Sequence, residues 1–190
     1  MRAKLVLACL AVSLLGCASL AFAGKRADAL SIRFDGNSHS SLQYRGAVAA
    51  ASEQSSVDVL APNRLRFEKS RGFKRHFLAS STGDRQGWQV DFESAPNCGG
   101  ATACFTGQLS GGRGPLPNTG YEQVELAGGT KGEFRGVSCG GSCAPATILF
   151  RIGGILYTIQ NAVPPGDPGS ARERRVMVNM ANSAIKAGPR

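Results

Sequence analysis

The 190-residue chain carries 22 Lys and Arg against 13 Asp and Glu, a net charge of +9, with 42% hydrophobic residues, 25 Gly and 9 Pro. That apolar content exceeds what disordered chains carry, and the Gly and Pro content stays below that of a low-complexity tract. Beyond the N-terminus no apolar run reaches about 18 residues, which excludes a multi-span helical membrane protein and leaves a loop-rich globule of one domain.

Arg2 and Lys4, with no acid beside them, precede the apolar stretch Leu5 to Leu15, and small residues follow. This order of charged end, apolar middle and small-residue region is that of a secretory signal peptide over residues 1–23, with Ala21-Phe22-Ala23 as the cleavage site before Gly24. A second reading competes. Leu14-Leu15-Gly16-Cys17 looks like a bacterial lipobox, in which Cys17 becomes the acylated first residue of a lipoprotein. Either way the remaining chain is expected outside the cytoplasm, periplasmic or secreted, or membrane-anchored through Cys17.

Residues 24–60 are rich in Ala, Ser, Gly, Asn and Gln, offer only Ser31-Ile32-Arg33-Phe34 as a short alternating strand, and are expected to be partly mobile. A single β-rich domain is expected over 61–190. Leu65 to Glu68 alternates, and Trp88 to Glu93 alternates over six residues, with Trp88, Val90 and Phe92 on one face. Cys104 to Leu109 and Tyr121 to Leu126 are weaker strands on either side of the Gly/Pro-rich loop 111–120. Ala146 to Ile152 and Ile155 to Gln160 flank Gly153-Gly154 and predict a hairpin with a two-residue turn. After Pro164-Pro165-Gly166, Ser170 and Glu173 have capping-box spacing and open a helix over 170–187, with Val176, Met177, Met180, Ala181 and Ala184 as its buried stripe. The predicted class is α+β: an antiparallel sheet of about six to eight short strands packed on one C-terminal helix and braced by disulfides.

Cys9 leaves with the leader and Cys17 is removed or acylated, so Cys98, Cys104, Cys139 and Cys143 remain. An even set in an exported chain reads as two disulfides, with three connectivities possible. Chain entropy gives about 2 kcal/mol to each short pairing and about 4 kcal/mol to a long crosslink. The repeated Cys-Gly-Gly at 98–100 and 139–141 favours local turns, and so the pairings 98 with 104 and 139 with 143. Gaps of five and three residues do not match the C-x2-C spacing of structural zinc sites, so neither metal nor cofactor is expected.

Gly136-Val137-Ser138-Cys139-Gly140 matches G-x-S-x-G, the elbow that lifts a nucleophilic Ser above an α/β-hydrolase sheet. An esterase-like enzyme using Ser138 with His39 or His76, the two histidines of the chain, is therefore an alternative function. The motif requires a strand before it and a helix after it, whereas a Cys-rich Gly turn and Pro145 follow. Asp91 and Glu93 share the outward face of a half-buried strand, where solvation explains them without acid/base chemistry.

Between Arg64 and Arg85 seven bases face two acids, with Phe67, Phe73 and Phe77 interleaved. Arg71, Lys74 and Arg75 are its anion-binding candidates, directed at an anionic envelope polymer or lipid headgroups. Nucleic acid is the least natural partner for an exported chain. Ordinary surface charge on a strand edge is the competing explanation.

From Tyr121 onward, Val124-Glu125-Leu126, Gly128-Gly129-Thr130, the Ile148-Leu149-Phe150 hairpin with Gly154 to Ile159, and the closing Ala181-Asn182-Ser183-Ala184-Ile185 resemble a C-terminal domain of unknown function found in exported bacterial lipoproteins. The resemblance implies a small sheet packed on one helix and brings no catalytic residue. The reading taken together is an exported, disulfide-braced protein with a non-enzymatic binding or structural role.

Overall fold

A computed structural model describes residues 29–68, 77–96, 104–115, 117, 119–140, 142–162 and 164–190. Residues 1–28 with Cys17, the candidates Arg71, Lys74 and Arg75, His76 and Cys98 lie outside the described residues.

In chain order the elements are β1 (Ala29–Arg33), α1 (His39–Gln54), β2 (Arg64–Glu68), β3 (Leu78–Gly83), β4 (Gly87–Glu93), β5 (Phe105–Arg113), β6 (Glu122–Glu125), a short 3-10 turn (Ala127–Gly129), β7 (Lys131–Arg135), β8 (Ser138–Cys139), β9 (Cys143–Ala144), β10 (Ala146–Ile152), β11 (Ile155–Asn161) and α2 (Ala171–Ala187). Seven strands form one antiparallel sheet in the order β3-β4-β5-β11-β10-β7-β6, while β1 and β2 pair as a separate ribbon. This is the α+β class read from the sequence.

Register explains why the sheet has one wet and one dry face. Trp88 stands opposite Gly111 and Gly111 opposite Tyr157, which in turn faces Phe150, so one row of side chains runs across four strands toward the helices. Gly111 makes room for it, because a Cβ there would lie 2.6 Å from the Trp88 indole nitrogen. The indole N–H donates to the Asp58 carbonyl at 3.0 Å and the Tyr157 hydroxyl donates to the same oxygen at 3.2 Å. Burial, with the nearby Asp58 charge, pushes the Tyr157 phenol up to about 12. On the other face Asp91 accepts from Gln89 at 2.7 Å and from Gln108 at 2.9 Å. The predicted hairpin is β10–β11, turning at Gly153 and Gly154 with φ of 58° and 82°, values that favour glycine at both positions.

The longest element not expected from the sequence is α1, within the segment read as partly mobile. Its N-cap is Ser38, whose hydroxyl accepts from the Ser41 N–H, and its buried stripe is Ser41, Tyr44, Ala47, Val48 and Ala51. Small residues at i, i+3 and i+4 spacing build this face, so it carries little apolar contrast although alanine is the best helix former. Tyr44 anchors it, donating to the Pro62 carbonyl at 2.7 Å and packing edge-on to Phe34 and Phe92. Full burial raises the Tyr44 phenol far above its ordinary value. The sheet thus packs against two helices rather than one.

Helix α2 begins as the sequence indicates and buries the stripe predicted for it. Ser170 accepts from the Glu173 N–H at 3.2 Å. The return half of the box is rewired: the fully buried Glu173 carboxylate accepts from the N–H groups of Val137, at 2.6 Å, and Gly169. It therefore ties the helix start to the loop after β7. The local disulfide pairing holds for Cys139–Cys143, which closes the β8–β9 hairpin. Cys104 is also disulfide-bonded; its expected partner Cys98 lies outside the described residues.

Candidate anion-binding groove

Alternation along β2 sends Leu65 and Phe67 into the core with no exposed surface and leaves Arg64 and Arg66 in solvent. On the paired strand Arg33 lies opposite Arg64 and Ser31 opposite Arg66, so the outer face of the β1–β2 ribbon carries three arginines. Arg33 is held by Asp35 through two hydrogen bonds of 3.1 Å, and this contact keeps the Asp35 carboxyl below its usual range. Arg190 is likewise engaged, 4.1 Å above the Phe34 ring and bonded to the Asn63 side chain. Among the described residues Arg64 and Arg66 make no such side-chain bond, although the Arg64 charge helps to lower the Asp35 carboxyl.

Helix α2 lies alongside. The Asn63 N–H donates to the Ser183 hydroxyl at 2.9 Å, and the Arg66 carbonyl accepts from the buried Asn161 amide at 2.8 Å, which fixes β2 between the helix and the sheet. Arg172 and Arg175, three residues apart and both exposed, reach toward the same space. Two adjoining depressions result. One of about 370 Å³ is lined by Arg66, Pro165, Arg172, Arg175, Val176 and Asn179. The other, of about 190 Å³, adds Arg64, Met180 and Ser183 and shares Arg66, Val176 and Asn179.

Among the described residues none of Arg64, Arg66, Arg172 and Arg175 forms an ion pair. Arg172 also sits in the first turn of α2, where the positive end of the helix dipole disfavours a cation by roughly 0.3–1 kcal/mol, and Arg175 follows in the second turn. Four guanidinium groups with planar donor forks, gathered around one groove against these local preferences, are suited to oxyanions such as carboxylate or phosphate.

The other sequence candidates are placed differently. Ser138 is exposed on the two-residue strand β8, and the chain turns at Gly140 and returns as β9. The G-x-S-x-G match is therefore a strand–turn–strand hairpin closed by a disulfide, without the following helix that a nucleophile elbow requires. The His39 ring is engaged by Gln43 at 3.2 Å on the exposed first turn of α1. Asp91 is occupied by two glutamine amides on the sheet's polar face. Among the described residues no group of three or more His, Cys, Asp or Glu side chains could hold a metal ion, and no helix is long and apolar enough to cross a membrane.

Of the basic segment singled out in the sequence, Arg64 and Arg66 belong to the groove. Arg172, Arg175 and Asn179 were missed. The one local signal was the placement of arginines in the first turns of a helix, the end that favours acids. No family model, curated protein or solved structure matches this chain.

Proposed function

We propose that this chain is an exported, non-enzymatic binding protein that holds an anionic ligand in the groove between β2 and α2. The observation that carries the reading is the set of four exposed arginines, Arg64, Arg66, Arg172 and Arg175, drawn from two distant segments and making no direct ion pair among the described residues. Export is supported by the N-terminal leader and by the exposed Cys139–Cys143 disulfide, a bond that persists in oxidising compartments. Mass analysis of the mature protein tests it, with Gly24 or an acylated Cys17 expected as the first residue.

The binding claim is tested with the double variant Arg66→Gln/Arg175→Gln in the mature chain. Wild-type protein is expected to be retained on heparin and released by salt, because exposed charges are screened over about 8 Å at physiological ionic strength. The double variant should elute at clearly lower salt with an unchanged thermal midpoint. Equal elution of the two proteins would reduce the groove to ordinary surface charge.

A further inference from the structure

The two rims of the groove differ. The strand rim is charged along its length through Arg64 and Arg66, whereas the helix rim changes from guanidinium to neutral polar groups: Arg172, Arg175, Asn179 and Ser183 follow at spacings of three, four and four residues and share one stripe of α2. From Arg172 to Ser183 the helix rises about 16 Å. Along β2, alternate side chains are spaced about 6.6 Å apart. The contact between Asn63 and Ser183 sets the neutral half of the helix rim beside the start of β2, opposite Arg64. Val176 and Met180 floor the space between the rims.

A ligand matched to this groove is long, carries oxyanions at intervals and presents neutral hydrogen-bonding groups between them. A single phosphate or carboxylate would engage one or two guanidinium groups and leave most of the length unused. A chain of bare phosphates would satisfy the Asn179 and Ser183 donors but, having no donor of its own, would leave the Asn179 amide oxygen without a partner. A bilayer surface suits a face with insertable apolar side chains, and among the described residues the exposed large hydrophobic side chain is Leu42, on α1. We infer that the groove takes a linear acidic glycan, whose carboxylate or phosphate groups meet the four arginines while its hydroxyls meet Asn179 and Ser183. This rests on the anion-binding reading above and narrows it.

The experiment measures binding of the mature chain to labelled oligogalacturonate, to inorganic polyphosphate of matched charge and to phosphatidylglycerol vesicles. The variants are Asn179→Ala, Asn179→Asp and the Arg66→Gln/Arg175→Gln pair. Asn179 is exposed, so its replacement leaves the core untouched. Asn179→Ala should weaken oligogalacturonate binding about 5-fold, the worth of one neutral hydrogen bond, and Asn179→Asp, which keeps an acceptor for a glycan hydroxyl but repels phosphate, should weaken polyphosphate binding about 5-fold more than oligogalacturonate binding. The arginine pair should weaken both polymers at least ~10-fold, since charge-assisted bonds are lost in each case. If Asn179→Ala leaves oligogalacturonate binding unchanged, or Asn179→Asp weakens both polymers equally, the glycan assignment is overturned while the anion-binding reading stands. Vesicles bound in preference to the glycan would overturn it in favour of a lipid surface. If the arginine pair alters nothing, the anion-binding reading fails and the glycan assignment fails with it.

Discussion

Four consecutive residues at the start of α2, Arg172 to Arg175, face different surroundings on the two flanks of the helix. Toward β6, Arg174 pairs with Glu122 at 2.7 Å, and between the flanks Glu173 is wholly buried on two backbone N–H groups. On the opposite face of the sheet a buried Glu133 likewise accepts from Thr119 and Gln123, and Arg135 lies 4.9 Å from the Tyr121 ring centroid. Toward β2, Arg172 and Arg175 line one depression with Arg66 and no acid, and the adjoining depression continues to Arg64. The difference teaches that charge type says little about role here. One flank resolves its charges internally and stitches the sheet to the helix, while the other leaves them unresolved and open to a ligand.

Removing the Glu173 carboxylate should break the stitched side most severely. Glu173→Ala strands two backbone donors at a buried junction and is expected to cost about 3 kcal/mol in urea unfolding, near the top of the range for unsatisfied buried groups. Groove affinity in the fraction that folds should be little changed; a comparable loss of anion retention under fully folded conditions would show that the flanks are coupled. Gly136→Ala presses on the same junction from the sheet side, since its Cβ would lie 3.1 Å from a Glu173 carboxylate oxygen and 3.3 Å from the Gly169 backbone. A smaller loss of about 1 kcal/mol is expected, readable as a lowered thermal midpoint. Glu122→Gln has the least effect. The pair it breaks is about half exposed on both sides, so unfolding should shift by no more than ~0.5 kcal/mol. The Arg174 charge so released lies outside the groove and should not raise glycan affinity.

Much of the fold was legible because its signals are local. The alternation of β4, the Gly153-Gly154 turn and the Ser170/Glu173 spacing each fit within a window of a few residues, and each became the element it suggested. The missed elements draw their stability from elsewhere in the chain. Helix α1 buries alanines against the sheet, β3 is a polar edge strand under α1, and β7 places Glu133 in a buried site that hydrogen bonds from Thr119 and Gln123 make tolerable. The candidate site divides in the same way. Arg64 and Arg66 stood out as part of a basic run, but their facing partners lie more than a hundred residues later, and no spacing rule connects a strand to a helix across that interval.

Open sheets invite growth, because each edge strand presents unpaired peptide groups to any extended chain that approaches. On the β3 side the Gln43 amide oxygen accepts the Ala79 N–H at 3.3 Å from a helix that overlies the strand. The β6 side is four residues long and studded with exposed Glu122 and Glu125. A second copy seeking to extend the ladder would meet an occupied donor at one end and mutual repulsion at the other. A protein with this much β-structure is thereby steered away from fibril-like stacking by features that need not contribute to its binding groove at all.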